Sequence, residues 1–295
     1  MWKYLFKRLL NLFVILFGVS FFIFAVTTLV TGRSTADNPD IVTSYFMRYF
    51  NWLRMIVAGS ADGVDWSRRW SSLAYFGQYI PETIRLLAVS FIVVVLVSLP
   101  LGVLSALKKD SFFDYTIRFF SFFGASIPNF SLGFLLLMGF AVTLRWFPVI
   151  GEGDLLHMVL PVCALTTPII SRYIRQIRGA ALEELNHDYV AGATARGVSQ
   201  WRIVVFHILP NALPSVLAYL GIMIGQLLGG VIIIETVFFW RGIGNITVQS
   251  IRAQEYPVIQ SYALWMAILY IVSTFTVDTV YQLMNPQFRR KEALF

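Results

Sequence analysis

Charge is what this chain has least of. Only 13% of its residues are Asp, Glu, Lys or Arg, against 57% hydrophobic and 16% aromatic residues. Soluble domains carry about 25% charged residues, so a water-soluble globular fold is excluded. The chain reads as an all-α polytopic membrane protein, and its 295 residues leave room for one bundle of roughly six spans of ~20 residues each. Cysteine is nearly absent. Cys163 is the single one, so no internal disulfide can form and the redox compartment is not legible. The histidines, His157, His187 and His207, are too scattered for a metal site and suit packing or interface roles. There is no HExxH, no GxSxG and no glycine-rich phosphate loop, so no catalytic residues, no metal site and no cofactor are assigned to this chain. No internal repeat is visible either.

What is present is a series of long apolar runs. The first follows Lys3, Lys7 and Arg8 and continues through Val30. It lacks the short apolar region and small-residue cleavage site of a signal peptide, so it is read as an uncleaved first span. Five more spans are expected near 84–107, 117–144, 156–177, 211–235 and 261–283. Pro128 in the third span and Pro161 and Pro168 in the fourth mark kinks or cavity-lining sites, or ordinary bundle packing. Residues 31–80 mix charges with Tyr45, Phe46, Tyr49, Phe50, Trp52, Trp66 and Trp70. That composition suits an extracytoplasmic segment lying partly on the membrane, with its aromatics at headgroup level. The expected division is therefore an anchor with its outer segment over 1–74, a transmembrane core over 75–285 and a cytoplasmic tail over 286–295. Lys and Arg collect on one side of this arrangement, including Lys3, Lys108, Lys109, Arg175, Arg202 and Arg290, which puts both termini in the cytoplasm. The net charge of +7 thus reports topology and contact with membrane lipid, and no nucleic acid is implied.

One polar stretch interrupts the apolar sequence: DYVAGATARGVSQWRIVVFHILP, residues 188–210, in the largest cytoplasmic loop. Residues 188–196 are expected to form a short helix capped by Asn186 or Asp188 and stopped by Gly197. A second helix is expected from Ser199, with Val198 and Ile203 as a hydrophobic staple. The first helix carries Ala191, Gly192, Ala193 and Ala195, a small surface that another backbone can approach closely. A plain surface hairpin is the alternative. Gly221, Gly225 and Gly229 stack on one face of the fifth span, either against a partner subunit or inside the chain. Glu235 and Asp278 are acids inside or near spans, which are functional candidates by default. Arg172, Arg175 and Arg178 form a basic stripe expected to snorkel to lipid phosphates. After ETVFFWRGIGN the chain leaves the membrane, and residues 246–256 are expected to form a short amphipathic helix.

Segments along nearly the whole chain resemble inner-membrane permeases of binding-protein-dependent ABC importers, in the dipeptide/oligopeptide/nickel branch. They are MWKYLFKRLLNLFVILFGVSFFIF, IPETIRLL, LPLGVLSALKKDSFFD, ASIPNFSLGFLLL, the 188–210 loop, GQLLGGVIIIETVFFWRGIGN, IRAQEYPVIQ and VDTVYQLMNPQFR. The resemblance implies a type I importer fold of six transmembrane helices in a bacterial or archaeal cytoplasmic membrane. It implies transport of a small solute such as a peptide, nickel, a nickel chelate or glutathione. The implied partners are a second homologous permease, two ATPase subunits and an extracytoplasmic solute-binding protein, with ATP and Mg held by the ATPases. Coupling to the ATPase would fall to Tyr189, Ala191, Gly192, Ala193, Gly197, Leu209 and Pro210. This copy departs from the general coupling motif: Ala191 replaces the acidic residue, Gly192 the first alanine and His207 the isoleucine. Arg241 stands where the branch commonly has proline, and TGRSTADNP at 31–39 replaces the usual opening of the first loop. A gradient-driven secondary transporter using Asp278, or a non-transporting scaffold, are the rival expectations.

Overall fold

The computed structural model describes residues 2–30, 41–58, 76–149 and 155–284. Trp66, Trp70, the 31–39 opening and the 286–295 tail lie outside them. No strand occurs among the described residues. Five helices are long and apolar enough to cross a membrane, and a sixth crossing results if one bent pair counts as a span. The chain divides into two units of packing, Met1–Ile84 with Arg241–Val272, and Arg85–Trp240 with Ser273–Phe295.

In the first unit, α1 (Trp2–Val30) and α2 (Ile41–Ala58) are joined by aromatics. Tyr49 of α2 is fully buried, its hydroxyl 2.7 Å from Ser20 Oγ and its ring met edge-on by Phe17, Phe21 and Phe24. It was expected at headgroup level. A tyrosine whose hydroxyl finds a buried partner packs instead as core. Trp52 Nε1 donates to Gln260 Oε1 at 2.7 Å, and Gln260 Nε2 donates to Thr27, which links α1 and α2 to α11 (Tyr256–Met284). The short amphipathic helix is α10 (Ile243–Arg252), starting three residues before its expected place. The Ile243 N–H donates to the buried Thr83 Oγ1 at 3.0 Å, and Ile243 packs with Phe76 and Val258.

In the second unit, α3 (Ile80–Leu107), α4 (Phe112–Ser126), α5 (Asn129–Leu136), α6 (Leu155–Leu185) and α9 (Leu209–Val237) supply the bundle elements. The expected span 117–144 is not one helix. It begins at Phe112, breaks by 98° at Ile127–Pro128 and resumes as α5 followed by a π-helical segment, Leu137–Thr143. Proline lacks an N–H and forces its predecessor into extended backbone, and Ile127 sits at φ −90°, ψ 123°. The helix α6, by contrast, runs unbroken through Pro161 and Pro168 and ends at Leu185, eight residues beyond the expected 177. It is the packing centre of this unit. A Cβ on Gly102 would lie 2.8 Å from Ile177 of α6, and one on Gly124 would collide with Ser171 Oγ, so α3 and α4 both approach α6 through glycines.

Candidate coupling site

The 188–210 stretch folds as two helical pieces around a glycine. Helix α7 (Asp188–Ala195) starts after His187, which occupies the cap position without a side-chain bond; neither Asn186 nor Asp188 caps it. It ends as expected at Gly197, whose φ of +78° is the left-handed conformation that costs glycine nothing. The Gly197 N–H donates to Thr194 O at 2.9 Å and the Val198 N–H to Ala193 O at 3.2 Å. Those two bonds are the full Schellman pattern, so the last carbonyls of α7 are satisfied. Ser199 is the cap position of α8 (Gln200–Ile203), again without a side-chain bond. A π-helical segment, Val204–Ile208, then leads without a break into α9, so residues Gln200–Val237 form one continuous helical run.

The seven expected coupling residues do not share one surface. Val190 and Ala193 point inward, with Ala193 only 1% exposed. Ala191, Gly192 and Gly197 are exposed, and a Cβ on Gly192 or Gly197 would meet no neighbour within 4 Å. Pro210 is exposed and Leu209 half-buried. Tyr189 closes the stretch onto itself. Its hydroxyl donates to Glu184 Oε2 at 2.6 Å, its ring stacks on His187 with centroids 5.8 Å apart, and His207 meets it edge-on at 6.4 Å. Partial burial and then the Glu184 carboxylate push the Tyr189 phenol above its ordinary value, so it remains a hydrogen-bond donor at neutral pH. His207, standing where the general motif has isoleucine, therefore packs against α7.

Two residues of the bundle that leads to this site were missed by sequence reasoning as a pair. Asp114 of α4 is fully buried and accepts from Arg178 twice, Nε to Oδ1 at 2.8 Å and Nη2 to Oδ2 at 2.7 Å. Ser105 Oγ of α3 and the Asp110 N–H, at 3.1 Å, complete its shell. Arg175 Nη1 donates to Ser121 O of α4 at 2.7 Å. The arginine stripe thus does not simply snorkel outward: Arg175 and Arg178 lie alongside α4 and are used there. The available signal was Ser111-x-x-Asp114, a capping-box pattern. Ser111 Oγ does accept from the Asp114 N–H at 3.3 Å, but the acid turns toward Arg178.

The remaining candidates separate. A Cβ on Gly221 would make an ordinary 3.9 Å contact with Val277, one on Gly229 would meet nothing within 4 Å, and Gly225 is half-buried. The tight glycine is Gly230, where a Cβ would lie 2.7 Å from Asn129 Nδ2 and 2.8 Å from Leu165 Cδ1. Glu235 is fully buried near the end of α9 and Asp278 is half-buried in α11. Among the described residues no group of three metal-binding side chains forms.

Comparison with known proteins agrees with this fold. The profile of the family described as binding-protein-dependent transport system inner membrane component matches residues 98–290. The oligopeptide transport system permease protein AppB of Bacillus subtilis (strain 168) is 32% identical, over 96% of this chain and 98% of its own. The di/tripeptide transport system permease protein DppB of Pseudomonas aeruginosa (strain UCBPP-PA14) is 31% identical, over 99% of this chain and all of its own length (100%). The metal-staphylopine import system permease protein CntB of Staphylococcus aureus (strain NCTC 8325 / PS 47) is 29% identical, over 98% and 99%. An inward-facing structure of the MetNI methionine ABC transporter superposes with a TM-score of 0.61 at 21% identity, covering 72% of this chain and 97% of that one.

Proposed function

This chain belongs to the family of binding-protein-dependent transport system inner membrane components, and from that premise we propose that it imports a peptide-class solute by docking an ATPase on α7. It is a multi-pass permease of the inner membrane. Its energy would come from two partner ATPases that hold ATP and Mg, its solute from a solute-binding protein on the outer side, and a second permease would pair with it. Both termini and α7 would then face the cytoplasm. A peptide is favoured over a metal chelate because the relatives named for oligopeptide and di/tripeptide transport are 32% and 31% identical, against 29% for the one named for metal-staphylopine import.

The observation that carries the docking role is the exposed small surface of Ala191 and Gly192 on a helix whose C-terminal end is closed by the Gly197 and Val198 N–H bonds. Such a surface lets a partner's groove close on backbone, where burial of a small face is limited only by shape. Gly192→Trp tests it, because the open space around Gly192 lets the chain itself fold. In proteoliposomes holding this permease, its partner permease, the ATPases and the binding protein, a di- and tripeptide mixture should stimulate ATP hydrolysis. The variant should keep its melting temperature and lose that stimulation at least ~10-fold, equivalent to about 1.4 kcal/mol. Undiminished stimulation would remove α7 from the coupling contact. Stimulation by a metal chelate but not by peptides would overturn the solute class alone.

A further inference from the structure

The segment 188–208 joins the bundle at two places, and the two joints are built differently. On the entry side only Asn186 and His187 separate α6 from α7, and their N–H groups bond back to Glu183 O and Glu184 O at 3.2 Å. On the exit side the chain passes through the π-helical segment Val204–Ile208 before becoming α9. A π turn carries an extra residue in its hydrogen-bonded ring and is found mostly inside α-helices, frequently at functional sites. Entry is a two-residue turn and exit is continuous helix.

The entry joint leads to a buried polar group with several partners. Arg178 lies seven residues before the end of α6, and its bidentate pair with Asp114 fastens α6 to the first turn of α4. Ser105 brings α3 to the same carboxylate, and Arg175 adds a second tie to α4 at Ser121 O. Close backbone approach at Gly102 and Gly124 leaves little room for α3 or α4 to slide past α6. The turn between α3 and α4 is fixed as well: Asp110 is held at φ +59° while its N–H reaches Asp114 Oδ2. A fork-shaped guanidinium and a buried carboxylate have one good geometry, and slipping them leaves a buried charge without its partner. Such a contact moves as a unit or breaks.

We propose that the Asp114–Arg178 pair, with Ser105, is the clamp that delivers movement of α7 through α6 to α3 and α4. This rests on reading α7 as the ATPase-docking helix. Arg178 and Asp114 are positioning residues here, touching neither nucleotide nor solute.

The test is a distance measurement in the assembled complex, with the native Cys163 replaced by serine. Spin labels are introduced at Arg196→Cys, beside α7, and at Phe119→Cys, on the exposed face of α4, each paired with a reference label at Ile222→Cys on α9. In the otherwise unaltered complex, ATP should shift both the 196–222 and the 119–222 distances. In Asp114→Asn the 196–222 shift should remain and the 119–222 shift should be lost. The double variant Asp114→Asn with Arg178→Gln guards against misfolding, since neither partner then carries a buried charge, and it should show the same loss. An undiminished 119–222 shift in the double variant overturns the clamp while leaving the docking role intact. A 196–222 distance that ignores ATP in the unaltered complex sinks the docking role and the clamp together.

Discussion

Gly192 and Gly197 stand five residues apart in one loop and are glycine for different reasons. At Gly197 the backbone is left-handed, φ +78°, and any Cβ is strained there whatever space surrounds it. Gly197→Ala should therefore destabilise the chain by about 1 kcal/mol. At Gly192 the backbone is ordinary helix and the surroundings are open, so only helix propensity is at stake. Gly192→Ala should stabilise by up to ~1 kcal/mol. Thermal unfolding of the two variants in one detergent checks both signs, and two shifts in the same direction would show that the difference is misjudged. The stop at Gly197 was legible in the sequence because it is a matter of local sterics. The Asp114–Arg178 pair was not, since its members are 64 residues apart and only the Ser111-x-x-Asp114 pattern hinted that the acid was engaged locally. Ala193 illustrates the same limit. Its small side chain was visible, but which side of α7 faces inward depends on where α6 and α9 bring their surfaces.

Among whole elements, apolar length and proline position gave the right number of spans and the wrong shape for one. Pro128 turns the chain through 98°, whereas Pro161 and Pro168 sit inside a continuous helix of 31 residues. Proline removes a hydrogen bond in all three cases, and the packing of α6 against α3, α4 and α9 supplies what the local sequence cannot express. The glycine stripe of α9 and the tight approach inside this chain fall on different residues. Periodicity pointed to Gly221, Gly225 and Gly229, but the close approach falls on Gly230. Gly230→Ala should cost about 1–3 kcal/mol by pressing on Asn129 and Leu165. Gly229→Ala, with nothing within 4 Å, should change stability by less than ~0.5 kcal/mol. Melting temperatures of the two purified variants separate these outcomes, and equal losses would mean that a neighbouring chain fills the space at Gly229.

For the whole molecule, composition alone settled the class. A chain with 13% charged residues and 57% hydrophobic ones has no soluble solution, and the described residues are helices joined by short turns. Orientation follows from where Lys and Arg collect, and it yields a direct expectation. A cysteine introduced by Gln200→Cys, in a chain with Cys163 replaced by serine, should react with a membrane-impermeant maleimide in inverted vesicles. It should not react in right-side-out vesicles. The reverse pattern would turn the molecule over and place the docking helix on the wrong face for any ATPase.

The buried ion pair also has a history within each molecule's synthesis. Asp114 leaves the ribosome 64 residues ahead of Arg178, and at roughly 5–20 residues per second that is a wait of about 3–13 s. Through this interval α4, rich in phenylalanine, carries a carboxylate whose Arg178 partner has not yet been made. It cannot take its final place until α6 is complete. A nascent chain cut short between the two residues would keep an acid exposed beside apolar sequence.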